Sequence, residues 1–173
     1  MTRYILLLLI LLPLDMASAQ TLVWSTVLRD VRNRYPEVEQ ISVDSLAHWL
    51  QDPNRQPPLL VDVRERSEYD LSHIAGAIHS APDSADVDDL LAAAAGRPIV
   101  LYCSVGYRSS AKAQALLQAG ATSVANLEGS VFMWANEGQP VERDGKAVRE
   151  VHPYNRVWGV LLNKRLRGEV GRD

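Results

Sequence analysis

The chain has 173 residues, 47% apolar and 23% charged, a composition that suits one globular domain with extra segments at its ends. Its formal net charge is −3 and its basic residues are scattered, so no nucleic-acid partner is expected. A single cysteine, Cys103, leaves no disulfide within the chain and no dithiol pair of the C-x-x-C kind, so any sulfur chemistry must run on one thiol.

In chain order, the first segment reads as an address. Met1 to Tyr4 carries one basic side chain, Ile5 to Leu12 is an uninterrupted apolar run, and Ala17-Ser18-Ala19 supplies the small residues of a cleavage site. We expect residues 1–19 to be a signal peptide cleaved after Ala19, giving an exported chain, periplasmic or secreted, that begins near Gln20. A retained membrane anchor is the competing reading, although the run falls short of the ~20 apolar residues that span a bilayer. No cysteine lies near the site to carry a lipid. In an oxidising compartment an unpartnered Cys103 points to reactivity or to pairing between molecules.

Trp24, Leu28, Val31 and Tyr35 recur at helical spacing, which predicts an amphipathic helix ending before Pro36 and a helical extension over residues 20–40. Ile41 to Val43 reads as a short strand, followed by a helix capped by Asp44 or Ser45 and carrying Leu46, Trp49 and Leu50. Gln51 to Pro58 reads as loop. Leu59 to Val63 is a continuous apolar strand of the kind buried on both faces. Ser67 is expected to cap a short helix through Leu71, and Ile74 to Ile78 to lead into another strand. A helix is expected over Asp83 to Ala95, stopped by Gly96, and then a strand over Pro98 to Tyr102.

Beyond the Cys103 loop, Ser109 or Ser110 is expected to cap a helix running to Gln118 and closed by Gly120. Val124 to Leu127 forms a strand, and Gly129 opens a helical turn with Val131, Met133 and Trp134. Asp144-Gly145 marks a hairpin within 141–148. Trp158, Leu161, Leu162 and Leu166 suit a terminal amphipathic helix whose basic run, Asn163 to Arg167, is a solvated face. Strands alternating with helices across short connections predict an α/β fold in three layers, a mostly parallel central sheet with helices on both faces.

Chemistry concentrates at Cys103-Ser104-Val105-Gly106-Tyr107-Arg108-Ser109-Ser110, directly after an apolar strand, where the catalytic loops of parallel sheets sit. A thiol there faces loop amides and the N-terminus of the next helix. That dipole, together with Arg108, favours an anion above the sulfur and thiolate over thiol. An inert core cysteine is the competing reading, against which the polar, Gly-containing loop stands. Arg108 has two open readings: it faces the anion, or it braces the loop from behind through a carboxylate. Asp62 and Arg64, at the end of the central strand, read as a structural ion pair or loop brace rather than as catalytic groups. Nothing in the sequence fixes a histidine beside the thiol, and neither metal nor cofactor is expected.

Three blocks resemble the single-domain rhodaneses. Leu60-Val61-Asp62-Val63-Arg64-Glu65, continuing through Glu68-Tyr69 to His73-Ile74-Ala75-Gly76-Ala77-Ile78, is similar to the family's first signature. Cys103 to Ser109 is similar to its active-site loop, and Leu127-Glu128-Gly129 with Trp134, Gly138, Pro140 and Val141 to its closing segment. The resemblance covers residues 41–141. It leaves 20–40 and 142–173 as terminal extensions that cover the core or dock a protein partner. Ser72 and Ala75 stand where the family usually has Gly and Pro.

The resemblance implies a sulfurtransferase that takes a sulfane sulfur from a small anionic donor, thiosulfate or a polysulfide, and passes it to a thiol or cyanide. Carried over, Cys103 is the nucleophile and persulfide carrier. Ser104, Val105, Gly106, Tyr107, Arg108 and Ser109 form the loop that binds substrate, and His73 is structural. Two other readings stay open. One is a phosphatase or arsenate reductase of the same fold, whose loop between Cys and Arg is one residue longer. The other is a rhodanese-like binding or sensing module without turnover.

Overall fold

Continuous apolar runs cannot leave one face to water, so they pair into the middle of a sheet covered on both sides. The computed structural model describes residues 16–169, with helix α1 (Met16–Arg34), strand β1 (Glu39–Ile41), α2 (Val43–Gln51), β2 (Leu59–Asp62) and α3 (Arg66–Leu71) in the first half. There follow β3 (Ile78–His79), α4 (Val87–Ala94), β4 (Ile99–Tyr102), α5 (Tyr107–Gln118), β5 (Val124–Leu127), α6 (Ser130–Asn136), β6 (Val141–Arg143) and β7 (Lys146–Val148). Five strands make one parallel sheet in the order β1-β5-β4-β2-β3, and every residue of β2, β4 and β5 is buried. This is the expected three-layer α/β arrangement.

Alternation along the strands sorts the core into two halves. Leu60, Val100, Tyr102 and Leu127 face Trp24 and Val27 of α1, Leu46 and Trp49 of α2, Phe132 and Trp134 of α6, and the C-terminal Leu161, Leu162 and Leu166. Leu59, Val61, Ile99, Leu101 and Val124 face Leu90 of α4 and Ala113 and Leu116 of α5. From β2 the chain crosses to β3 on one side of the sheet, and from β4 to β5 on the other. The switch therefore falls between the carboxyl ends of β2 and β4, where ligand crevices form in such sheets. Asp62 ends one of these strands and Cys103 follows the other.

Residues 1–15 of the expected signal peptide lie outside the described residues, and Met16 to Ala19 open α1. On α1, Trp24 and Val31 are buried as expected, Leu28 is half-buried and Val27 completes the stripe, while Tyr35, half-buried, follows directly after the helix. Burying a large apolar side chain is worth roughly 1.5–3 kcal/mol, so three such anchors make α1 part of the fold rather than a loose tail. Gln20 adds to this by donating from Nε2 to the carbonyls of Val160 and Leu161, at 3.2 and 3.0 Å.

Several element starts differ from expectation, most of them set by local caps and one by a tertiary partner. The first strand lies two residues earlier than Ile41–Val43, because Ser42 already caps α2, its Oγ accepting the Ser45 N–H at 3.1 Å. Neither Asp44 nor Ser45 is the cap. Glu65, not Ser67, caps α3 in a reciprocal capping box with Glu68. α4 starts at Val87 instead of Asp83, because Lys112 of α5 donates to the Ser84 carbonyl and to Asp86, both at 2.7 Å, which holds this stretch as a turn. Gly106 precedes the first residue of α5, so Ser109 and Ser110 lie buried inside that helix rather than capping it.

The Asp144-Gly145 hairpin is present, with positive φ at both residues. The terminal amphipathic helix is not. Two short 3-10 turns, Trp158–Leu161 and Lys164–Leu166, take its place. Asn136 of α6 separates them, its Nδ2 donating to the Leu161 carbonyl at 2.7 Å and its Oδ1 accepting the Asn163 N–H at 2.8 Å. Lys164, Arg165 and Arg167 are nonetheless solvated while Leu166 is buried.

α6 is positioned by Gly129, whose φ of 68° lies in the left-handed region and whose added Cβ would meet the Met133 side chain at 2.6 Å. Gly129→Ala should destabilise the protein by about 1–3 kcal/mol through backbone strain and overpacking, read as a lower urea midpoint with an unchanged m-value.

Candidate active site

Cys103 leaves β4 fully buried, and its backbone is held from two directions. Its N–H donates to Ser130 Oγ at 3.1 Å, while its carbonyl and that of Ser104 accept the Val131 and Phe132 N–H groups at 3.1 and 3.2 Å. The otherwise orphaned donors of α6's first turn thus end on the cysteine loop and fix it. The loop then turns at Gly106, whose φ of 119° few other residues adopt. That turn brings the Gly106 N–H to within 3.2 Å of Cys103 Sγ.

Burial pushes the Cys103 thiol up, but the Arg108 guanidinium and the amides of Ser109 and Gly106 outweigh it and hold the thiol below its ordinary range. The sulfur is therefore biased toward thiolate, the nucleophilic form.

Arg108 braces the loop through a carboxylate, as one of its two readings had it, and also lines the cavity. Its Nη1 and Nη2 donate to Glu68 at 2.7 and 3.0 Å, and Nη2 also donates to Ser104 Oγ at 2.9 Å. Braced this way, it still lines the cavity above Cys103 and supplies the largest field lowering its thiol. Glu68 is the residue that sequence reasoning passed over. Its carboxylate is buried and accepts from Arg108, from Ser104 Oγ at 2.9 Å and from the Glu65 N–H at 3.0 Å. Burial pushes Glu68 up, yet the Arg108 hydrogen bonds and charge hold it below the usual carboxylate range.

Asp62 and Arg64 form a fully buried pair outside the cavity. Arg64 Nε donates to Asp62 Oδ1 at 2.8 Å and Nη2 to Oδ2 at 2.5 Å. A further bond from Nη2 to the Ser72 carbonyl, at 2.6 Å, ties the far end of α3 to the end of β2. The pair therefore sets the helix that carries Glu68. His73 stacks on Tyr69 with its ring centroid 3.9 Å away, while its backbone bridges to Glu142. His79 accepts no role in the cavity and contacts the Arg64 carbonyl at 2.8 Å.

A cavity of about 390 Å³ opens above the sulfur. Of the loop residues singled out from sequence, Cys103, Ser104, Val105, Tyr107 and Arg108 line it. Gly106 and Ser109 do not, and Ser109 Oγ instead donates to Asn126 Oδ1 at 2.6 Å. The remaining wall comes from both terminal extensions, as Arg34 and Tyr35 from one and Tyr154 and Trp158 from the other. Both extensions hold Tyr107: its hydroxyl donates to Asp30 Oδ2 at 2.7 Å, and its ring lies 5.7 Å from that of Trp158. Burial and the Asp30 carboxylate push the Tyr107 phenol up to about 12, so it remains a donor at neutral pH.

Fold and loop together define a rhodanese-like α/β protein whose cysteine directly follows the central strand. Residues 42–137 match the Rhodanese-like domain family, and the chain belongs to it. It is 31% identical over 104 residues to a sulfurtransferase of Allochromatium vinosum, covering 60% of this chain and 94% of that protein. It is 35% identical over 102 residues to the probable adenylyltransferase/sulfurtransferase MoeZ of Mycobacterium tuberculosis, covering 58% of this chain but only 25% of that protein's length. Among solved structures, a rhodanese-like domain protein from Staphylococcus aureus aligns with a TM-score of 0.50 at 28% identity, covering 62% of this chain and all of that one.

Because Cys103 is held below its ordinary range, alkylation of the protein by iodoacetamide should stay fast as pH falls, until pH passes through that lowered value. Arg108→Gln removes the main lowering charge and leaves Glu68 unpaired, so the midpoint should move upward. Glu68→Gln leaves Arg108 charged and uncompensated, and should not move it upward.

Proposed function

We propose that the protein is a sulfurtransferase that carries a sulfane sulfur as a Cys103 persulfide. The observation that supports this most is the Cys103 sulfur itself, on the floor of an open cavity, receiving the Gly106 N–H and facing a guanidinium that Glu68 keeps in place. With thiosulfate as donor, the thiolate attacks the outer sulfur, a Cys103–sulfur bond forms and the sulfur–sulfur bond of thiosulfate breaks. Its electron pair departs with sulfite. Charge is conserved, and the amides and Arg108 stabilise negative charge already present in the ground state and shifted in the transition state.

Incubation with thiosulfate should add one sulfur to the intact protein, seen by mass spectrometry, and Cys103→Ala should take up none. Absence of uptake from both thiosulfate and polysulfide, with hydrolysis of an aryl phosphate, would make the protein a phosphatase instead. Neither activity would leave a binding module. We also propose export with cleavage after Ala19; protein recovered from the extracytoplasmic fraction should then begin at Gln20, and an intact Met1 start there would refute it.

A further inference from the structure

Both terminal extensions lie outside the family-matched residues, yet they supply four of the nine residues that line the cavity at the thiol. Tyr35, Tyr107, Tyr154 and Trp158 present aromatic surface, and the charged groups on the wall are Arg34 and Arg108, with no carboxylate among the described lining residues. Arg108 already lies over the Tyr154 ring, at 4.7 Å from its centroid, and Arg34 over Tyr107 at 5.5 Å. A cationic ligand would meet these two guanidinium groups, so the aromatic surface does not serve as an ammonium cage.

Tyr154 stands at the rim in the left-handed region (φ 62°) and is half-exposed, a backbone state that a tyrosine rarely holds. The volume, about 390 Å³, falls in the range of organic ligands and far exceeds a cyanide or a sulfite.

Resting on the persulfide reading, we infer that the extensions form a specificity collar for the sulfur acceptor, an organic thiol with a flat apolar body and a carboxylate. The body lies against the aromatic rings and the carboxylate meets Arg34, the more exposed of the two cations, in exchange for its exposed 3.6 Å ion pair with Asp30. In the transfer step the acceptor thiolate forms a bond to the outer sulfur of the persulfide, and the bond from that sulfur to Cys103 Sγ breaks. The acceptor thiol's own proton passes to the outer sulfur of the anionic persulfide and ends on the acceptor persulfide, while the electron pair of the broken bond stays on Sγ as thiolate. No oxidant or reductant is consumed.

The test uses full-length protein preloaded with thiosulfate, and follows loss of the added sulfur to 4-mercaptobenzoate, 4-methylthiophenol and 2-mercaptoethanol. The ratio of the 4-mercaptobenzoate rate to the 2-mercaptoethanol rate should fall about tenfold in Trp158→Ala, as expected for loss of a wall contact. In Arg34→Met, an exposed site where folding is not at stake, the ratio of 4-mercaptobenzoate to 4-methylthiophenol should fall while the ratio of the two uncharged thiols holds. Comparing ratios between variants removes the intrinsic reactivity of each thiol. Unchanged ratios in both variants would overturn the collar.

If no sulfur loads, the persulfide reading has failed by itself, and calorimetry with the unreactive 4-(methylthio)benzoate then decides the collar separately. Binding that weakens in both variants supports it, and no binding overturns it.

Discussion

A carboxylate taken out of water must find donors for its charge, and Glu68 finds them on three residues from two pieces of the chain. Its oxygens gather the start of α3, the first residue after Cys103 and the arginine four residues further on. Breaking a buried pair of this kind costs about 3–5 kcal/mol, because the surviving charge is stranded. The geometry of the thiol site is thus enforced by the stability of the whole protein. Asp62 and Arg64 act one step behind, fixing α3 at the sheet, so a pair that never meets the cavity still decides where Arg108 stands.

The extensions act on the same loop from the other side. Val31 of α1 packs behind Gly106, within 3.7 Å of where a Cβ would be, and Asp30 and Trp158 hold Tyr107. The family core supplies the nucleophile and its field. The added ends supply the shape of the opening. Mobility at either end would be felt first at Tyr107, the residue both of them touch.

Much of this was legible in the residues. Leu59–Asp62, Ile99–Tyr102 and Val124–Leu127 announce themselves because strands buried on both faces have no polar alternation to obscure them, and the Cys103 loop follows one of them directly. Element starts were less legible, since Lys112 reaching Ser84, or Asn136 intercepting the Leu161 carbonyl, are contacts between distant residues that no local pattern encodes. Glu68 was quoted within the first signature block but given no role, because a glutamate on a short helix with Arg66 and Asp70 carries no local mark of burial. The signal available was its place three residues after Glu65, the spacing of a capping box. Tyr35 and Trp158 were seen, but as packing positions on helical faces, because nothing in sequence brings residues so far apart to one opening.

The strand order carries a consequence for how the protein comes into being. β1 pairs with β5, Glu39 opposite Ala125, so the first strand made waits for the last one of the sheet. Long-range parallel pairing of this kind closes slowly, because a large loop must be fixed before any contact rewards it. The site waits longer still, until residues 154 and 158 have come round to meet α1. Reactivity is thus a late property of the chain, and a half-made molecule carries its only cysteine as an ordinary thiol.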